Sequence, residues 1–124
     1  MPPRAPAYQV PPIDAFGDGG FRIGGVRHEG AIALVDGAVR AWPVGEDPKA
    51  LAVSDFETFL NPDDKPDVVV LGLGAKVVHP PAAVRQAFLD AGVGLEALDT
   101  PAACRVYNIL AGEARRVWAA LIAV

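Results

Sequence analysis

The sequence contains very little cysteine, no long hydrophobic run and no excess of positive charge, and each absence excludes a class of protein. Cys104 is the only cysteine, so neither an intrachain disulfide nor a cysteine-based metal site can form. The longest apolar segment, residues 117–124, spans about eight residues, whereas a transmembrane helix needs about 18. We therefore predict no transmembrane segment and interpret residues 117–124 mainly as a buried strand.

The charge balance disfavours nucleic acid as a partner. The formal net charge is −4 and the pI is about 5.0, whereas binding to phosphates requires a basic surface. Residues 1–12 contain five prolines and lack the apolar core of a secretion signal. We predict an extended N-terminal tail over 1–12, one globular domain over 13–124, and a cytoplasmic location, which a single cysteine also fits.

The first half of the chain is typical of antiparallel strands. Asp36-Gly37 is a strong signal for a two-residue hairpin, and it joins predicted strands at 31–35 and 39–42. A further strand is predicted at 21–28, which gives a β-meander. Ser54 followed by Glu57 indicates a capping box and a short helix that Pro62 ends.

The second half predicts a β-α-β-α-β unit. The β-branched run at 68–71 is typical of a strand buried on both faces, and a helix begins at Pro80-Pro81 and ends at Gly92. A parallel strand over 93–98 follows. Thr100 is the predicted cap of a second helix that runs to Gly112, and a last strand covers 115–123. The predicted fold class is α+β, three layers around one mixed β-sheet.

Gly72-Leu73-Gly74 follows a predicted strand and suggests a dinucleotide-binding loop. Val77 stands where the third glycine of that motif belongs, so tight turning and close packing explain the glycines better. A weak anion site that uses the loop amides and Lys76 remains as the lesser option.

The remaining reactive side chains form no catalytic pattern. His28 and His79 lie far apart without carboxylates or cysteines at ligand spacing, so no metal site and no cofactor are predicted. Cys104 lies within the second helix, where we expect an inert, partly buried thiol.

The polar face of the second helix is the best candidate for function. A helical wheel places Arg105 and Asn108 opposite the predicted core face, which comprises Ala102, Ala103, Val106, Ile109 and Leu110. Three roles stay open: a structural ion pair or cap, in which Arg105 pairs with Asp99 or a carboxylate of the meander, an interaction surface, and catalysis.

The parallel strands should end on the same side of the sheet, where the second helix also begins. We therefore predict a modest cationic concavity that binds a small anion or an acidic segment of a partner. Its predicted residues are Gly72, Gly74, Lys76, Asp99, Thr100, Arg105 and Asn108.

The chain also resembles a family of small single-domain proteins of largely unassigned function. That family includes the mitochondrial assembly factor three of respiratory complex I and the adipogenesis-associated single-domain proteins. The residues that carry the resemblance are Ile13-Asp14-Ala15-Phe16-Gly17, Gly20-Phe21-Arg22-Ile23, Gly30, Trp42, Leu71-Gly72-Leu73-Gly74, Leu98-Asp99-Thr100, Ala102-Ala103-Cys104-Arg105-Val106-Tyr107-Asn108 and Glu113-Ala114-Arg115-Arg116. Val106 stands where threonine is expected and Phe16 where tyrosine is usual.

The resemblance implies a three-layer domain with a mixed sheet and no established catalytic activity. For mitochondrial members it implies help in assembling a membrane-bound respiratory complex. Our leading hypothesis is a non-enzymatic interaction or assembly-type protein with protein partners. The alternative is a small-molecule or anion-binding protein, or an enzyme, that uses a cleft near Gly72 and Asp99. The sequence leaves the oligomeric state open.

Overall fold

The computed structural model describes residues 10–76, 78–113 and 115–124. Its strands are β1 (Ile13–Gly17), β2 (Gly20–Ile23), β3 (Val26–Glu29), β4 (Ile32–Val35), β5 (Ala38–Ala41), β6 (Val68–Gly72), β7 (Gly94–Leu98) and β8 (Val117–Leu121). The α-helices are α1 (Ala82–Ala91) and α2 (Thr100–Ala111), and short 3-10 helices cover Pro48–Ala50 and Val53–Phe56. Of the predicted N-terminal tail, residues 1–9 lie outside the described residues.

The predicted α+β class is confirmed. The main sheet has the strand order β5-β4-β8-β6-β7, in which β6 pairs in parallel with both β7 and β8 while β4 pairs antiparallel with β5 and β8. Helix α1 connects β6 to β7, as the predicted β-α-β unit requires. No described helix is long and apolar enough to cross a membrane.

The predicted meander is divided between two sheets. Gly24 and Gly25 adopt φ values of +57° and +83°, and they break the single strand that we predicted over 21–28 into the hairpin β2–β3. Strand β1 pairs with β2 and completes a separate three-stranded sheet. We did not predict β1, because Ile13-Asp14-Ala15-Phe16-Gly17 has no clear alternation and follows two prolines.

Other elements pack on both faces of the main sheet, so the fold has three layers and the sheet is buried. Val69 and Leu71 pack into the cluster on the α1 side, and Val68 and Val70 pack into the cluster on the α2 side. On the α1 side, edge-to-face ring contacts such as Phe56–Phe88, with 5.4 Å between centroids, fix the segment 53–60 against the helix. The three-stranded sheet shares the α2 side through the buried Phe21 and Ile23.

Two predicted helix starts are wrong in detail. The segment 53–56 is a 3-10 helix in which the Asp55 carboxylate accepts from the Ala52 N–H at 2.8 Å, so Ser54 and Glu57 do not form the box. In α2 the cap is Asp99, whose carboxylate accepts from the Ala102 N–H at 2.8 Å. Thr100 is therefore the first helical residue.

The buried stripe of α2 also differs from the predicted one. It consists of Thr100, Ala103, Cys104 and Tyr107, which follow the i, i+3, i+4, i+7 spacing of one helix face. Ile109 was predicted to face the core but is 61% exposed. The predicted core face points in a different direction around the helix axis, because the prediction takes Thr100 as a cap and leaves Tyr107 out of the core.

Candidate functional site

The parallel strands β6, β7 and β8 have their carboxyl ends on the same side of the main sheet, and we call this region the edge around Thr100. Backbone hydrogen bonds join the strand ends. The Leu73 N–H donates to the Leu98 carbonyl at 2.8 Å, and the Ile122 N–H donates to the Gly72 carbonyl at 3.0 Å. Helix α2 begins at this edge, directly after β7. The residues of the predicted concavity that follow β6 and β7 therefore lie at one place in the fold.

Thr100 is the centre of this edge and is fully buried. Its hydroxyl donates to the Ile122 carbonyl at 2.7 Å and accepts from the Gly74 N–H at 3.0 Å. The Thr100 N–H donates in turn to the Gly74 carbonyl at 2.8 Å. One side chain thus joins the segments that follow β6 and β8 to the first turn of α2.

The two glycines allow this close approach. A Cβ on Gly72 would lie 2.9 Å from both the Leu121 Cδ2 and the Thr100 Oγ1, and 3.1 Å from the Thr100 Cα. Gly74 has a φ of +100°, a backbone conformation that residues other than glycine rarely adopt. Both glycines are buried, so close packing accounts for Gly72 and backbone conformation accounts for Gly74.

The two basic residues of the predicted set are on the surface. Lys76 and Arg105 are exposed, and neither makes an ion pair with any residue that the structure describes. The predicted ion pair of Arg105 with Asp99 or with a carboxylate of the meander is therefore not found in that part of the chain. Asp99 is half-buried and serves as the cap of α2.

Asn108 has a structural contact that the sequence did not suggest. Its Oδ1 accepts from the Ile13 N–H at 2.9 Å, and its Nδ2 donates to the Ile13 carbonyl at 3.0 Å. A single amide therefore satisfies both backbone groups at the start of β1. This contact attaches the three-stranded sheet to α2.

The buried titratable groups beside this site favour their neutral forms. Burial raises the pKa of the Cys104 thiol to about 12, although the nearby Arg105 charge opposes this, and the protonated thiol is a poor nucleophile. Burial also raises the pKa of Tyr107 to about 12, with a smaller contribution from the Asp36 carboxylate. His79 is exposed, His28 is half-buried, and the described residues contain no group of His, Cys, Asp or Glu suited to a metal ion.

The surface also has grooves that no sequence motif indicates. Shallow grooves with volumes of about 210 and 550 Å³ lie along the segment 53–62, which borders β5. The smaller groove is lined by Ala33, Arg40, Ala41, Trp42, Pro43, Ser54, Asp55, Glu57, Thr58 and Phe59. No local motif marks these residues, because they come together only when the segment folds across the sheet.

Comparison with known proteins places residues 13–122 in one family. The model of the family described as protein of unknown function (DUF498/DUF598) matches residues 13–122. An uncharacterised protein of Rhodobacter capsulatus is 34% identical over 123 residues, which cover 98% of this chain and 93% of that protein. The structure described as an outer membrane protein from Bartonella henselae has a TM-score of 0.81 at 31% identity, and the match covers 93% of this chain and 96% of that one.

The human protein named NADH dehydrogenase (ubiquinone) 1 alpha subcomplex assembly factor 3 is also similar. It is 34% identical over 116 residues, which cover 94% of this chain and 62% of the assembly factor. The chain thus spans less than two thirds of the length of that relative. The resemblance that the sequence motifs indicated is confirmed, and this chain belongs to the DUF498/DUF598 family of proteins of unknown function.

Proposed function

We propose that this protein is a non-enzymatic interaction protein of the assembly type, which binds protein partners while a larger complex forms. The observation that carries the proposal is the 34% identity to an assembly factor over 94% of this chain. The finer part of the proposal is a link to assembly of a respiratory complex, because that relative is named for a NADH dehydrogenase.

The edge around Thr100 suits protein contact better than a small-molecule cleft. Gly72, Gly74 and Thr100 are buried and contact one another, whereas Lys76 and Arg105 are exposed. On a chain with a net charge of −4, these cations attract an acidic segment of a partner. In this proposal the buried residues, with Asp99 and Asn108, hold the geometry, and the two exposed cations make the contact.

A cytoplasmic location is part of the same proposal. The chain carries a single cysteine, Cys104, which is buried and free, as is usual in a reducing compartment. Fractionation of native cells, followed by detection with an antibody against the protein, tests the location directly. Recovery in a membrane-enclosed oxidising compartment would contradict it.

The test of function is a pulldown of the tagged full chain from native cells, followed by reconstitution with each recovered protein. We expect a saturable complex with a purified partner. Arg105→Ala should weaken that complex by about 1.5–3 kcal/mol, as expected for loss of a hydrogen bond to a charged group.

The matched control is Arg85→Ala, which removes an exposed arginine from α1 on the opposite face of the sheet. Both variants should keep the wild-type melting temperature. If no purified protein binds and a metabolite binds saturably instead, the assembly role is wrong. If Arg105→Ala and Arg85→Ala weaken the complex equally, the partner does not contact the edge around Thr100.

A further inference from the structure

Strand β5 is an edge strand of the main sheet, and its backbone groups that do not face β4 can be identified. The Trp42 N–H donates to the Ala31 carbonyl at 3.0 Å, so the backbone of Trp42 faces β4. Because N–H and C=O directions alternate along an antiparallel strand, Ala38 and Arg40 also face β4. The N–H and C=O groups of Val39 and Ala41 therefore face away from the sheet.

Those outward groups have no hydrogen-bond partner among the described residues. No contact of the turns, caps or side chains in that part of the chain involves the backbone of Val39 or Ala41. Ala41 is exposed and Val39 is half-buried. An unpaired edge of this kind is a template for an additional strand.

A groove beside the edge provides space for side chains of such a strand. The Trp42 indole Nε1–H donates to the Asp55 carbonyl at 2.9 Å, and this bond holds the segment 53–59 beside the end of β5. The groove of about 210 Å³ runs between them, with Arg40 on the strand wall and Asp55 and Glu57 on the opposite wall. The Asp55 carboxylate already accepts from the Ala52 N–H. Arg40 and Glu57 are exposed, and neither has an ion pair within 10–76, 78–113 or 115–124.

Arg40 determines which strand the edge accepts. A second copy that used the outward groups of Val39 and Ala41 in both chains would place Arg40 directly opposite its own counterpart. Like charges at directly opposed positions of an antiparallel pair are destabilising, whereas opposite charges are stabilising. The edge therefore favours a different chain that carries a carboxylate at the opposed position.

We propose that β5 is a docking site at which an extended, largely apolar segment of a partner protein, with one carboxylate opposite Arg40, adds an antiparallel strand to the main sheet. The partner backbone bonds to Val39 and Ala41, an aspartate or glutamate of the partner lies opposite Arg40, and an alternate apolar side chain enters the groove beside Glu57. This inference rests on the proposed interaction function and adds a contact surface on β5 that is separate from the edge around Thr100.

The probe for the experiment is a library of short random peptides displayed on phage, selected on the immobilised full chain. We expect the selected peptides to alternate apolar residues around one carboxylate. A synthetic selected peptide should slow amide hydrogen exchange at Val39 and Ala41. Its affinity should fall about tenfold in Arg40→Glu, because the variant places like charges opposite each other.

Two matched variants separate docking from general damage. Ala41→Pro removes an outward N–H that β4 does not use, and Ala97→Pro removes the equivalent outward N–H from the opposite edge strand, β7. The first should abolish peptide binding, and the second should leave it intact, with both variants folded by circular dichroism. Arg22→Glu, at an exposed arginine of β2, should change the affinity less than about twofold.

Several outcomes would overturn the inference. These are a failure to enrich any peptide, enrichment without a carboxylate, protection of Leu95 and Ala97 instead, or equal effects of Arg40→Glu and Arg22→Glu. Concentration-dependent dimers that Ala41→Pro abolishes would show that a second copy occupies the edge.

The partner recovered in the pulldown distinguishes the two proposals. If that partner binds wild type and Ala41→Pro equally, the assembly function stands and the docking site on β5 is wrong. If the selected peptide binds as expected and no cellular protein forms a complex, the docking chemistry stands and the assembly function is wrong.

Discussion

The two ends of the parallel strands β6 and β8 are held by different chemistry. At their carboxyl ends, the neutral hydroxyl of Thr100 is fully buried and bonded to Gly74 and Ile122. At their amino ends, the guanidinium of Arg116 forms ion pairs with Asp36 and Asp64, and the Arg116 side chain is 26% exposed.

The contacts at the two ends should contribute unequally to the free energy of unfolding. Removing a buried partner leaves backbone groups without hydrogen bonds in the core, which costs the full desolvation of each group. Removing a partly exposed ion pair leaves its partners accessible to water, and salt already screens their attraction. The comparison predicts that substitutions at the carboxyl end, where the proposed interaction edge lies, destabilise the protein strongly. Substitutions at the amino end should destabilise it less.

Thr100→Val should have the largest effect, because valine keeps the shape and removes the hydroxyl. We expect a loss of about 2–6 kcal/mol in the free energy of unfolding, since two buried groups lose their partner at about 1–3 kcal/mol each. Urea unfolding followed by fluorescence of Trp42 and Trp118 measures it. Thr100→Ser is the control, and an equal loss in both variants would show that the hydroxyl is not what holds this end.

Gly72→Ala should have the next largest effect. The new methyl group would lie 2.9 Å from the Leu121 Cδ2 and from the Thr100 Oγ1, so β6 or these neighbours must shift. Overpacking of this kind costs about 1–3 kcal/mol. Gly45→Ala is the control, because no atom of the described residues lies within 4 Å of a Cβ at that position. Equal stabilities of the two variants would mean that the strand ends are loosely packed.

The same contrast explains which parts of the fold could be predicted from sequence. The β-branched residues of β6, the Asp36-Gly37 turn and the Pro80-Pro81 start of the helix region are local signals, and each identifies its element without reference to the rest of the chain. Strand β1 has no such signal. It is held by Asn108, which is 95 positions away from Ile13 in the sequence.

The candidate site shows the same limit. Strand ends at Gly72 and Leu98 follow from parallel pairing, so the sequence indicates which residues share an edge. The function of Thr100 does not follow, because its hydroxyl contacts depend on the distance between α2 and β8. Ser, Thr and Asp all favour helix starts, and only the packed structure shows that Asp99 is the cap while Thr100 is buried.

Asn108→Ala tests a second contact of α2, which lies further along the helix than Thr100. The loss of two hydrogen bonds to Ile13, which are half-buried, should cost about 1–2 kcal/mol. Amide exchange at Ile13 should accelerate more than exchange in β6, because the contact attaches only the three-stranded sheet. Ile109→Ala changes the exposed neighbour and is the control. Uniform acceleration across both sheets would show that the two unfold as one unit.

Arg116→Ala should have the smallest effect, and its dependence on salt should differ from that of Thr100→Val. Partly exposed ion pairs contribute about 0–1 kcal/mol, and the stacking of the Arg116 guanidinium 5.0 Å from the centre of the Trp118 ring adds a contribution of similar size. At about 1 M sodium chloride the Debye length falls to about 3 Å, so most of the ion-pair part should vanish.

The stability difference between wild type and Arg116→Ala should therefore shrink with added salt. The difference for Thr100→Val should stay constant, because its hydrogen bonds are neutral and inaccessible to ions. If Arg116→Ala instead costs more than Thr100→Val at every salt concentration, the charged amino end is the stronger attachment and the order proposed for the two ends is reversed.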